Sequence, residues 1–305
     1  MSTDLATTLQ ELLGAGPMRA TQLALLSDVP TSELQGSASL WLQAAPSRRR
    51  ALLAELRSLA EDNIEYTFKN VFLFALGDPD PDVRRAAVDG LWEEESPSVL
   101  ERLQVILRAD ASAEVRTAAA TALTRFAYRG AVGDMSSSRA EQLQEVLRRS
   151  LLEAPDGGDL QLRLLEALAY FEDEPVVREY IARLYREGDE DEQAAALLSM
   201  GRTLDPRWGA TVREELDNQS AILRFHAARA AGDLGLTEAV PSLSRMAEDE
   251  EEDPEVRGNA VWALGQIGTQ PALSVLRGVA SGGSEELREA AEEALGEAVY
   301  AENDA

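Results

Sequence analysis

His226 is the one histidine of the chain, and no cysteine occurs. A Ser/His/Asp triad therefore has a single candidate base, and any centre built from several imidazoles or thiolates lacks its donors. No serine motif accompanies His226, so its expected role is a structural hydrogen bond, with Asn259 as the neighbouring polar residue. Asp78, Asp80, Asp82 and Asp89 fall at positions 1, 3, 5 and 12 of a calcium-loop template. Val83, however, stands where such a loop needs glycine, so helix capping is the better reading. Six consecutive carboxylates, Glu248 to Asp253, form the most concentrated charge run. It is read either as a solvated turn or, through Glu250, Glu251 and Glu252, as a docking site for a basic partner. Catalytic, metal and cofactor residues are expected to be none.

Composition narrows the field further. The chain has 305 residues, 29 basic groups (all arginine except Lys69) against 55 acidic, and a formal charge of −26. Such a chain repels phosphate, so binding to nucleic acid or to an anionic membrane is disfavoured. The excess is uneven. Residues 1–60 hold five acids and five bases, leaving 50 and 24 for the remainder. The longest apolar run, Val71 to Leu76, is too short to span a bilayer, and the acidic start lacks the basic and apolar segments of a secretory signal. A soluble cytoplasmic protein is expected.

The elements that position these residues repeat. Asp80-Pro81-Asp82-Val83-Arg84 recurs as Asp253-Pro254-Glu255-Val256-Arg257, and equivalent positions fall at Arg84, Arg116, Arg163, Gln193, Arg224, Arg257 and Arg288. Four residues upstream stand Asp80, Ser112, Asp159, Asp189, Ser220, Asp253 and Ser284, all good helix N-caps. Positions −1, +2, +3, +6 and +7 share one helical face and are mostly alanine, as in Val115, Ala118, Ala119, Ala122 and Leu123. Such a face buries little area per helix, so one unit must stack on its copies. Glycine at +8 (Gly201, Gly232, Gly265, Gly296) is expected to end the helix in a left-handed conformation. A second helix then completes each hairpin.

The pattern D-P-x-V-R-x-x-A-x-x-A-L-G, near a period of 31, resembles the HEAT-like repeats of phycobilin lyases and of many bacterial HEAT-repeat proteins. The resemblance covers about residues 78 to 300. It implies a right-handed all-α solenoid of about seven to eight helical hairpins, with second helices on the concave side. Units three and four depart from it, with Glu166 at +3, Gln193 for the arginine and Glu192 at −1. Repeats of this type can build a metal-dependent hydroxylase from paired His-Glu motifs, which the single histidine excludes. A HEAT-like DNA glycosylase would need a basic groove.

The expected organisation is an N-terminal helical cap at 1–45, an atypical first repeat at 46–77 and the solenoid at 78–305. The expected function is a non-catalytic protein-binding scaffold, not an enzyme, whose partner is a protein or peptide with a basic one favoured by charge. The alternative is a phycobilin lyase-like chromophore-binding enzyme or chaperone. Arg84, Arg116, Arg224, Arg257 and Arg288 are expected to tie units together through acids such as Asp110, Asp217 or Asp249. Between Arg116 and Arg163 the step is 47 residues rather than about 31, with the excess placed around 127–138. This stretch is read as a passive insertion or as a contact loop presenting Tyr128, Arg129 and Met135.

Overall fold

The computed structural model describes residues 5–155, 158–171 and 175–304. The fold is an all-α solenoid, and the described residues contain no strand. None of the described helices is long and apolar enough to cross a membrane. Two compact units divide the chain, residues 1–167 and 168–305.

In the first unit, four short helices, α1 (Leu5–Leu13), α2 (Ala20–Leu23), α3 (Thr31–Gly36) and α4 (Ala38–Gln43), precede the hairpins. The first helices of successive hairpins are α5 (Pro46–Asp62), α7 (Pro81–Asp89), α9 (Ala113–Ala131) and α11 (Asp159–Leu168). The second helices that follow α5, α7 and α9 are α6 (Lys69–Ala75), α8 (Pro97–Ala109) and α10 (Ser137–Glu153), and the second unit opens with α12 (Pro175–Glu187). There, α13 (Glu190–Arg202), α15 (Ala221–Asp233), α17 (Pro254–Ile267) and α19 (Glu285–Asp304) alternate with α14 (Gly209–Glu215), α16 (Val240–Glu248) and α18 (Gln270–Gly282).

Local chemistry sets where the helices begin. Asp80 accepts from the amides of Asp82 and Val83 at 3.1 and 3.2 Å, and Ser112, Ser220 and Asp253 cap their helices in the same way. Asp189 forms a reciprocal capping box with Glu192, both bonds at 3.0 Å. Glu192 thus replaces the apolar residue of other units because its carboxylate closes the helix start.

The glycines at +8 do something other than end helices. Gly201, Gly232 and Gly265 lie inside α13, α15 and α17, whereas the left-handed positions fall three residues later at Gly235 and Gly268. A Cβ on Gly232 would come within 2.9 Å of the Ala263 Cα and 2.6 Å of the Trp262 ring; one on Gly201 would reach the Ala230 Cα at 2.8 Å. First helices therefore pack backbone against backbone. Buried Ala227, Ala228, Ala231, Ala260 and Ala263 keep the same close spacing.

Overpacking makes this testable. Gly232→Ala should destabilise the chain by about 1–3 kcal/mol. Gly258→Ala, in the same stack but with nothing within 4 Å of its added carbon, should stabilise it by about 0.5–1 kcal/mol. Thermal unfolding of the two variants should move in opposite directions.

Candidate functional site

The arginine column forms the frame of the site. Arg84 donates from Nε and Nη2 to the two Asp110 carboxylate oxygens at 2.7 and 2.8 Å, and from Nη1 to the carbonyls of Asp78 and Pro79 at 2.8 and 3.1 Å. Asp110 in turn accepts from the Ser112 amide, so the carboxylate that shapes one turn is held by the arginine of the previous unit. Arg224 repeats the arrangement with Glu252, at 2.7 and 2.5 Å, and with the carbonyls of Asn218 and Gln219. Arg257 is different: among the described residues its Nε and Nη2 reach only the Ala247 carbonyl, at 3.3 Å. Arg288 is exposed.

Sequence reasoning missed the first member of the column. Arg49 lies against Asp78, with Nη2 to Oδ1 and Nε to Oδ2 both at 2.9 Å, and its Nη1 donates to the Ala44 carbonyl at 2.6 Å. The Trp41 indole donates to the same carboxylate at 2.6 Å, and both charged residues are buried. The available signal was Pro46, three residues before Arg49 as Pro81 is before Arg84. Ala45 at the cap position concealed it.

Between these first helices the first unit opens a groove. One hollow of about 490 Å³ is lined by Arg85, Asp89, Arg116, Thr117, Ala118 and Asp159, among others. A second, about 460 Å³, is lined by Arg57, Asp89, Trp92, Ala118, Thr121 and Arg125. They meet at Asp89, Ala118 and Thr121. Small side chains on α9 make the space, and Trp92, 45 % exposed, stands at its edge. Both hollows are lined mainly by residues of first helices.

Charge in the groove runs against that of the chain. Four arginines (57, 85, 116 and 125) line it with three carboxylates (Asp89, Glu114 and Asp159), in a chain where acids outnumber bases 55 to 29. Desolvation pushes the Asp89 carboxyl above its ordinary value, against the opposing pull of Arg85 and Arg57. Burial pulls Arg125 down to about 10. Its Nη2 donates to the carbonyls of Leu91 and Glu94 at 2.8 and 2.9 Å, which fixes the turn that carries Trp92.

The residues singled out from sequence scatter. Tyr128 and Arg129 lie in the last turn of α9, which continues to Ala131, so the supposed loop shrinks to 132–136. Arg129 pairs with Glu95 at 3.0 Å rather than standing free for a partner; Met135 is half-buried. Glu252 is withdrawn from the docking set because it holds Arg224 and its side chain is 10 % exposed. Glu250 and Glu251 remain exposed. Asp217 is taken by Arg245 at 2.8 Å, outside the column. In the second unit, Asn259 Nδ2 donates to the Phe225 carbonyl at 2.8 Å, beside His226, whose ring meets Phe225 edge-on.

A family model described as HEAT repeats matches residues 70–169 and 209–296. The deoxyhypusine hydroxylase of Eremothecium gossypii is 29 % identical over 212 residues, 68 % of this chain. The chain spans 59 % of that relative's length. Among solved structures, human deoxyhypusine hydroxylase in complex with glycerol matches with a TM-score of 0.39 and 17 % identity, over 88 % of this chain and 97 % of that one. The CpcE–CpcF complex of phycocyanin lyase from a Nostoc species gives 0.49 and 17 %, over 74 % and 93 %. Yeast importin-beta gives 0.49 and 16 %, over 97 % and 46 %.

The curated relative is an enzyme, and this overturns the expectations of a non-catalytic scaffold and of no enzymatic activity. A hydroxylase centre of paired His-Glu motifs does not fit this chain. It has one histidine, and among the described residues no three of His, Cys, Asp and Glu are grouped to hold a metal ion.

The clamps carry a pH dependence. Burial alone would raise Asp110, but the hydrogen bonds from Arg84 and the Ser112 amide outweigh it and hold the carboxyl below its ordinary value. The hydrogen bond from Arg224 lowers Glu252 against its own desolvation. A depressed folded-state value stabilises fully above the ordinary carboxylate range and is lost as pH falls through it, so stability should drop below about pH 4. Glu252→Gln should destabilise by about 1.5–3 kcal/mol at neutral pH and flatten this acid limb. Glu250→Gln and Glu251→Gln should change neither in denaturant titrations at graded pH.

Proposed function

This chain belongs to the HEAT-repeat family, and we propose that it acts on a polypeptide, holding an extended segment of its substrate in the groove along α5, α7 and α9. The observation that carries this reading is the meeting of the two hollows at Asp89, Ala118 and Thr121, which makes one channel across consecutive first helices. Two helix-to-helix steps of about 8–10 Å give a channel of about 20 Å, enough for about six extended residues. Trp92 supplies an apolar platform at its edge. The enzyme relative favours a substrate over a passive partner. Asp89, with its raised carboxyl, is the group in the groove suited to exchange a proton with that substrate.

The charge of −26 steers basic segments toward the chain, an attraction that salt screens beyond about 8–10 Å. Panning a library of displayed peptides on the full chain tests the reading. Sequences of net positive charge should be enriched, and Ala118→Arg, which fills the junction of the hollows, should weaken them about tenfold without lowering the melting temperature. Trp92→Ala should weaken them too. Absence of enrichment, or peptides that bind Ala118→Arg as tightly as the parent, would overturn it.

A further inference from the structure

Arg84 and Arg224 hold a carboxylate in one way. Nη1 is anchored to carbonyls just before the helix, and this turns the Nε/Nη2 edge toward the next hairpin, where both oxygens of Asp110 or Glu252 accept from it. Arg49 faces Asp78 in a related way, but of that edge only Nη2 makes a hydrogen bond. Arg116 has the same anchor, with Nη1 at 2.8 Å from the Asp110 carbonyl and 3.4 Å from that of Ala111. Its Nε/Nη2 edge, however, meets no carboxylate among the described residues. It lines the hollow of about 490 Å³ beside Arg85, which has no ion-pair partner among the described residues either.

We propose that Arg116, assisted by Arg85, is the seat for a carboxylate of the ligand, an Asp or Glu side chain of the polypeptide in the groove. The proposal rests on the polypeptide reading for the source of that carboxylate. Its geometry rests on the column alone. A planar two-oxygen acceptor is what the same fork holds at Arg84 and at Arg224. A phosphate, with more charge, would also face Asp89, Glu114 and Asp159 in the same hollow. A segment of net positive charge that carries one acidic anchor satisfies both the seat and the field of the whole chain.

The probe is N-acetylglutamate N-methylamide, titrated into the ¹⁵N-labelled full chain at physiological salt. The expected result is a saturable shift of the Arg116 Nε–Hε signal and of the Thr117 and Thr121 amides. The uncharged glutamine analogue should produce none. Arg116→Gln should abolish the Thr117 shift. Arg116→Lys, which keeps the charge and loses the fork, should weaken binding about tenfold. Inorganic phosphate binding as tightly, or a Thr117 shift that persists in Arg116→Gln, would overturn the proposal. So would the absence of saturation in the parent. Because the probe is a single blocked residue, this outcome is independent of peptide selection.

Discussion

A guanidinium held between its own helix start and the turn of the following hairpin is the interaction on which this architecture depends. A cation in the first helical turn opposes the helix dipole. The opposition is met by carbonyl oxygens immediately before the helix, such as those of Asp78 and Pro79 for Arg84, and by a carboxylate from the next unit. That carboxylate is also a turn former: Asp78 and Asp110 each accept from the backbone amide two residues on. Each clamp therefore couples the conformation of one turn to the position of the preceding helix. The Asp78 clamp is the most enclosed, since Trp41 of α4 adds an indole donor to a buried pair. Removing either partner there would leave a buried charge without compensation.

Small residues complete what the clamps begin. Alanine and glycine on the inner faces let first helices touch along their backbones, which sets their separation more tightly than large side chains would. On α9 small residues also occur on the groove side, at Thr117, Ala118 and Thr121, and there they leave space. The same kind of residue thus makes contact on one side of a helix and a cavity on another. Which of the two results depends on whether a neighbouring backbone is brought up against it.

The repeat, its caps and its hairpins were legible because they rest on local rules: an N-cap oxygen, a proline at the first helical position, an apolar spacing of three and four. The role of Gly232 was not, since a glycine that ends a helix and one that admits a neighbouring Ala263 look alike in a single sequence. Tyr128 and Arg129 were placed in the excess of the 47-residue step, yet helical pairing carries α9 through Gly130 to Ala131. The groove was invisible for a different reason. It is formed by what Asp89, Trp92 and Arg125 leave open between helices about thirty residues apart, and no pattern along the chain encodes an absence of side chain across such a distance.

The column is interrupted where the chain divides. Arg163 turns to Glu166 on its own helix at 2.8 Å, and Gln193 replaces the next arginine; the boundary between the compact units falls between them, at Ala167 and Leu168. Within each unit the helices are bonded to their immediate neighbours, so cooperativity is carried from one hairpin to the next rather than by a shared centre. During synthesis the groove-bearing unit emerges first and can close around its own clamps before the second has left the ribosome.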